Sequence, residues 1–147
     1  MTGQKNLEIA LNGISSFGPI KRTSSIYESE SWGIKNQPNF LNQVVEISTA
    51  LEPEDLLQKA LKLENSMGRE RGEKWGSRII DIDLLFYGNR VIDTETLKLP
   101  HPGIESRRFT LIPLAEMDPE WMHPISLKTM ESLLSQCQDQ GWVKKFL

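Results

Sequence analysis

Between residues 80 and 84 the chain reads Ile80-Asp81-Ile82-Asp83-Leu84. In an extended segment alternate side chains take opposite faces. Asp81 and Asp83 then point the same way, roughly 7 Å apart, while Ile80, Ile82 and Leu84 face the other side. Like charges side by side on one strand repel, which asks for a compensating cation. Hard oxygen donors suit magnesium rather than zinc, and two carboxylates at this spacing can share a pair of divalent ions. The plainer reading of the same pattern is a strand face carrying two solvated acids.

The segment leading into that strand is Gly68-Arg69-Glu70-Arg71-Gly72-Glu73-Lys74-Trp75-Gly76-Ser77-Arg78, with four cations, two acids, three glycines and an aromatic. Such a stretch is ordinarily a solvated loop. Running directly into two acids, it reads instead as a mobile basic lid. Arginine forks match phosphate oxygens and glycines let a loop close. Cations beside metal-binding acids fit polyphosphate chemistry, in which metal and arginine neutralise developing charge. No G-x-x-x-x-G-K-[ST] run is present, so this is not a P-loop. In Gln37-Pro38-Asn39-Phe40-Leu41-Asn42, an aromatic beside an amide can stack on and hydrogen-bond a planar heterocycle, although such an aromatic more often caps a core. Leu99-Pro100-His101-Pro102 and Arg107-Arg108-Phe109 repeat the theme of imidazole, cation and aromatic. His123 has no such company. Glu64 lies beside an apolar stripe, on the flank set by Leu57 and Leu61, placed to pair with a nearby arginine. Cys137 continues a second apolar stripe, which means packing rather than catalysis.

The elements that must position these residues follow from periodicity. Leu7, Ala10, Leu11 and Ile14 mark an amphipathic helix ended by Gly18-Pro19. Strands are predicted over 21–27 and 41–49, with 28–40 as a loop anchored by Trp32. Pro53 with Glu52, Glu54 and Asp55 starts a helix whose stripe is Leu56, Ala60, Leu63 and Met67, ended by Gly68. A third strand covers 79–86, with Gly88-Asn89 turning into a short partner at 90–92. Residues 104–117 form a helix interrupted by Pro113, 127–137 a clearer one, and 142–147 a last strand. The order α-β-β-α-β is the split βαβ pattern without its opening strand. One apolar stripe per helix implies an α+β, ferredoxin-like sandwich with helices on one side of the sheet.

The 147 residues suffice for a single domain over 1–147. With 38% hydrophobic and 25% charged residues and a formal net charge of −3, the composition excludes a disordered chain. No apolar run reaches the ~18 residues of a membrane span, and no basic-then-apolar leader opens the chain. The lone Cys137 excludes an internal disulfide framework and fits a reducing cytoplasm. An acidic chain without a sheet aromatic motif also disfavours an RNA-binding module.

The sequence resembles the 6-hydroxymethyl-7,8-dihydropterin pyrophosphokinase family of folate biosynthesis. The resemblance rests on Ser25-Ile26-Tyr27-Glu28, Gln37-Pro38-Asn39-Phe40-Leu41-Asn42, Gly68-Arg69-Glu70-Arg71, the run from Lys74 to Leu84, and Leu99-Pro100-His101-Pro102. It covers most of the chain, and Trp-Gly-x-Arg-x-x-Asp-x-Asp is its most specific part. The resemblance implies magnesium-dependent transfer of pyrophosphate from ATP to a dihydropterin hydroxymethyl, releasing AMP. Asp81 and Asp83 would hold two magnesium ions, with Arg69 and Arg78 completing the catalytic set. Phe40 and Phe109 would sandwich the pterin while Asn42 and the Trp32 region read its edge. Glu64, Arg71, Trp75, Arg78, His101 and Arg107 would serve ATP. The implied partners are these small molecules alone, with no nucleic acid or membrane.

Departures from the family pattern are Ser77 where a proline is usual and a short stretch between Arg71 and Trp75. Family members also open with a strand ending in a Gly-Ser-Asn-type turn, and Met1-Thr2-Gly3-Gln4 falls where that turn should finish. The expectation is a sheet lacking its first, internal strand. A monomer is expected, or a dimer in which a partner supplies that strand. The alternative function is a truncated or degenerate, catalytically impaired relative that binds nucleotide or pterin.

Overall fold

The computed structural model describes residues 3–30, 39–70 and 80–146. Its elements in chain order are α1 (Gly3–Ile14), a 3-10 turn at Ser15–Phe17, β1 (Ile20–Thr23), β2 (Tyr27–Ser29), β3 (Phe40–Asn42), β4 (Val45–Ile47), α2 (Pro53–Glu70), β5 (Ile92–Asp93), β6 (Lys98–Leu99), a 3-10 turn at Ile104–Ser106, α3 (Arg108–Met117), α4 (Met130–Gln136) and β7 (Val143–Lys145). They form a mixed helix and antiparallel-sheet structure of the α+β class. The chain divides into two units, Met1–Lys21 with Ile47–Leu84, and Arg22–Glu46 with Leu85–Leu147.

In the first unit, α1 packs on α2. The approach is close at Gly13, where a Cβ would stand 2.6 Å from Leu63 Cδ1. Gly18 has φ +156°, and a Cβ there would lie 1.9 Å from the Ser48 carbonyl oxygen. Only glycine fits. The same crossing is fastened by Ser48 N–H on the Pro19 carbonyl at 2.9 Å and by Thr49 Oγ1 on the Phe17 carbonyl at 2.8 Å. Pro53 opens α2 with Glu54 and Asp55 in the first turn, where acids favour the positive end of the helix. Its buried face is Pro53, Leu56, Ala60, Glu64 and Met67. Gly68 does not stop the helix, which continues through Glu70. A helical glycine costs about 1 kcal/mol relative to alanine but does not forbid the next turn.

In the second unit a three-stranded antiparallel sheet has the order β3-β2-β7. Its register pairs Tyr27 with Asn42 and Lys145, and Ser29 with Phe40 and Val143. Ile104, Leu111, Leu114, Met130 and Leu133 make the core of this unit, so α3 and α4 pack on each other. Pro113 lies within α3 without interrupting it. Thr129 caps α4 by accepting the Ser132 N–H, which shortens the predicted helix to Met130–Gln136.

Three strand expectations are corrected. The segments expected as single strands over 21–27 and 41–49 each divide in two, giving a β1-β4 pair and a β2-β3 pair. At the break the Ser24 hydroxyl accepts the Val44 N–H at 2.9 Å, while Gln43 Nε2 donates to the Ser24 carbonyl at 3.0 Å. Side chains there take over part of the ladder, beside one main-chain bond from the Ser24 N–H to the Val44 carbonyl at 2.8 Å. Residues 80–86 form no ladder at all. A strand exists only by pairing with a neighbour. Among the described residues, the Leu85 carbonyl of this segment accepts the His101 N–H at 2.9 Å. Finally, β5 pairs with β6 (Ile92 opposite Leu99) rather than with the segment before the Gly88 turn.

Candidate active site

The first unit holds Glu64, Asp81 and Asp83. Although 80–84 is not a ladder strand, its burial alternates as an extended segment requires. Ile80, Ile82 and Leu84 are half-buried, and Asp81 and Asp83 are exposed. The two carboxylates therefore share a solvent-facing side. Between them lies the Ile82 N–H, which donates to Glu64 Oε2 at 2.5 Å. Glu64 is only 9% exposed. It stands on the buried stripe itself, not on the flank that Leu57 and Leu61 marked out. A buried carboxylate is stable when it accepts hydrogen bonds. Here the acceptor fixes the peptide from which both aspartates project.

Among the described residues, no three His, Cys, Asp or Glu side chains gather as a metal-binding group. Asp81 and Asp83 nevertheless fit magnesium. That ion keeps waters and binds through one or two carboxylates plus substrate phosphates, not an all-protein cage. Arg71, Trp75, Arg78 and Trp32 lie outside the described residues, as do residues 71–77 of the expected lid. Arg69 belongs to the last turn of α2, which therefore takes over the start of that lid.

The second unit holds Phe40, Asn42, His101, Arg107 and Phe109. Phe40 and Asn42 sit on β3, and Phe40 is 50% exposed, an aromatic presented to solvent and not spent on the core. Asn42 Nδ2 donates to Ser29 Oγ at 3.0 Å across the β2-β3 pair, which orients the amide. Sequence reasoning missed Ser29, whose signal is its place directly opposite the strand that carries Asn42. His101 Nδ1 accepts the Gly103 N–H at 2.9 Å. An accepting Nδ1 leaves the ring proton on Nε2 and makes that nitrogen a donor. The Arg107 guanidinium carbon lies 6.0 Å from the Phe109 ring centroid. It also rests against Gly103, where a Cβ would stand 2.8 Å away. Arg107 and Phe109 are thus brought together at the start of α3. The first N–H of that helix, from Arg108, is taken by Asp139 Oδ2 at 3.0 Å. His123, by contrast, is buried, and its Nδ1 accepts from Ile125 and Ser126 N–H at 3.2 Å, a structural role.

The other end of α3 carries a feature that motif reading overlooked. Glu116 accepts three hydrogen bonds from the β2 approach: Ser25 N–H at 2.9 Å, Ser25 Oγ at 2.6 Å and Tyr27 Oη at 3.0 Å. What burial Glu116 has raises its carboxyl. The Ser25 hydroxyl and N–H, then Tyr27 and the Lys145 charge, outweigh that and hold it below the ordinary carboxylate value. Burial of Tyr27, followed by its bond to the Glu116 carboxylate, pushes the phenol up to about 12. Arg22 adds a further tie, with Nε on Glu46 at 2.6 Å and Nη1 on the Met117 carbonyl at 2.9 Å. The available signal was an acid in the last turn of a helix, where the macrodipole disfavours it unless something else holds it.

The comparisons with known proteins agree. A family model described as 7,8-dihydro-6-hydroxymethylpterin-pyrophosphokinase matches residues 1–119. A protein of Aquifex aeolicus named 2-amino-4-hydroxy-6-hydroxymethyldihydropteridine pyrophosphokinase is 45% identical over 122 residues, 83% of this chain and 76% of the relative. The Haemophilus influenzae protein of that name is 36% identical over 145 residues, 97% of this chain and 90% of its own length. The Synechocystis one is 44% identical over 117 residues, 80% of this chain and 60% of the relative. With a paired-carboxylate segment in one unit and an exposed aromatic, an oriented amide and a stacked arginine in the other, this chain belongs to the 7,8-dihydro-6-hydroxymethylpterin-pyrophosphokinase family.

Proposed function

We propose that the chain catalyses the reaction for which its relatives are named, moving the terminal pyrophosphoryl group of ATP to the hydroxymethyl oxygen of 6-hydroxymethyl-7,8-dihydropterin. The oxygen–phosphorus bond forms at the β-phosphorus as its bond to the AMP oxygen breaks, and the hydroxyl proton leaves to solvent. Such a displacement needs positioning and charge neutralisation, not a covalent enzyme intermediate. The observation that carries the reading is the exposed pair Asp81 and Asp83 on a peptide held by Glu64.

Asp81 and Asp83 hold the divalent ions. Magnesium, when bound, supplies charge neutralisation on the phosphate oxygens. Phe40 and Phe109 stack on the pterin ring, and Asn42 reads its edge with an amide already oriented by Ser29. His101 donates from Nε2, and Arg107 offers a guanidinium beside the aromatic of the same site. Glu64, Arg69, Arg71, Trp75 and Arg78 complete the nucleotide and catalytic set by their match to the family's motif. The same proposal includes a ferredoxin-like sandwich as one domain over 1–147, a monomeric state and a cytoplasmic place, where ATP is abundant. No described helix is long and apolar enough to cross a membrane.

The deciding assay mixes the chain with ATP, magnesium and the dihydropterin and follows nucleotide products. AMP in equal amount to pterin pyrophosphate is expected. ADP as product, or no nucleotide turnover, refutes the proposal.

A further inference from the structure

Phe40 and Asn42 ride on β3, whereas Phe109 rides on α3. A planar ring stacked between two aromatics feels both, so its affinity depends on how firmly those elements are held in relation to each other. β3 is tied to β2 by the register Tyr27–Asn42, Glu28–Leu41 and Ser29–Phe40. β2 and the residues before it are tied to α3 through Glu116, which takes Ser25 N–H, Ser25 Oγ and Tyr27 Oη. Phe109 and Glu116 are seven residues apart, so they fall on one face of α3, two turns from each other. Pro113 between them has no N–H to give to the helix ladder. Beyond its core packing, α3 is anchored at both ends by side-chain carboxylates. Asp139 supplies one at Arg108, and Glu116 supplies the other.

We propose that Glu116 is a positioning residue for the pterin: by gripping Ser25 and Tyr27 it fixes the helix that carries Phe109 against the strand pair that carries Phe40 and Asn42. The inference rests on the pterin site proposed above. A radial gap of only ~0.5–1 Å forfeits a quarter to a half of a dispersion contact, so slight loosening of α3 is felt by a stacked ring. Binding energy is then spent on ordering the two faces instead of appearing as affinity.

Glu116 is exposed, so truncating it opens no core cavity. In the full chain, Glu116→Ala should raise the pterin Kd and KM about tenfold, measured with a saturating non-hydrolysable ATP analogue and magnesium. The Kd for the ATP analogue should stay within about twofold. Glu116→Gln keeps an acceptor for Ser25 N–H and Tyr27 Oη and an amide facing the Ser25 hydroxyl. It should restore most of the pterin affinity. A folded Glu116→Ala protein with unchanged pterin Kd overturns the inference. So does equal weakening of pterin and nucleotide, which would mark a general structural role. If Glu116→Ala fails to fold, Tyr27→Phe and Ser25→Ala decide, because each removes contacts to Glu116 from the strand side. Two- to threefold weaker pterin binding with normal nucleotide binding is expected of each, and no change in either overturns the inference. Phe109→Ala separates the two possible failures. Pterin affinity untouched by it means that the pterin site is elsewhere, and the inference falls with that site. Affinity lost in Phe109→Ala but intact in Glu116→Ala removes the positioning role alone.

Discussion

Glu64 offers the sharpest test of how the acid pair is held. Its carboxylate is 9% exposed and accepts the N–H of Ile82, the residue between Asp81 and Asp83. Truncation to alanine removes a carboxylate acceptor from a half-buried donor, a loss of about 1.5–3 kcal/mol. For a chain of this length that corresponds to a fall in Tm of roughly 6–12 °C. Glu64→Gln retains an acceptor oxygen without the charge, and neutral bonds are about half as strong, so its fall should be about half as large. The functional effect is separate from the thermal one. With the Ile82 peptide released, the two aspartates lose their fixed presentation, and outer positioning groups of this kind are worth about 10–100-fold in metal affinity. Magnesium titrations of AMP release should therefore show a half-saturation shifted upward by about that factor in Glu64→Ala, less in Glu64→Gln, with much of the rate recovered at high magnesium. Melting curves and magnesium titrations on the same three proteins make the comparison. A Glu64→Ala protein with wild-type Tm and wild-type magnesium dependence would refute the reasoning.

Asp81→Ala and Asp83→Ala should each lower magnesium-dependent AMP release about 10²-fold or more while leaving Tm nearly unchanged, since both residues are exposed; wild-type rates in either would remove their assigned role. Gly18→Ala places a methyl 1.9 Å from the Ser48 carbonyl at φ +156°, and should cost more than about 2 kcal/mol in urea unfolding. A cost below 0.5 kcal/mol would mean that the crossing is not as tight as drawn. Tyr27, raised to about 12 in the fold from an ordinary 10, favours the folded state while it is protonated. Its contribution is complete below pH 10 and lost as pH climbs toward 12. Tyr27→Phe should flatten that part of the stability profile. Glu116 has the opposite sign. Its lowered carboxyl adds stability at neutral pH that disappears as pH falls below the ordinary carboxylate range, and the acid limb of the profile should weaken in Glu116→Gln.

What the sequence disclosed follows from which interactions are local. The alternation Ile80-Asp81-Ile82-Asp83-Leu84 was legible because side-chain direction in an extended segment depends only on the neighbouring residues. The start of α2 was legible because Pro53, Glu54 and Asp55 act within one turn. The strand expected over 79–86 was not, because a ladder is a property of two segments and periodicity reports one. The divisions at Ser24 and Val44 were hidden for the same reason: the Ser24 hydroxyl competes with the ladder through a partner twenty residues away. Glu64 was assigned to the flank of its helix because a stripe is conventionally drawn through apolar residues. A carboxylate that has a main-chain donor can occupy that stripe. Ser29, Glu116 and Asp139 escaped motif reading since their partners come from other elements.

These acids explain how a chain of negative net charge can serve an anionic co-substrate. With 20 acidic and 17 basic side chains, the formal balance opposes binding of ATP. Net charge is a poor guide when acids are committed to internal donors. Glu64 faces the Ile82 N–H, Glu116 faces Ser25 and Tyr27, Asp139 faces the Arg108 and Gly141 N–H groups, and Glu46 faces Arg22. Each carboxylate is drawn toward donors of the fold, where N–H dipoles or a guanidinium offset much of its field. Asp81 and Asp83 differ from them in being exposed together, on the side of a segment whose intervening N–H is already taken. On the proposed reading, a divalent ion held there would turn this negative patch into an attraction for phosphate. Glu64, Glu116 and Asp139 thus bond to donors of the fold, and on the proposed reading the acids that serve the reaction are the pair presented to solvent.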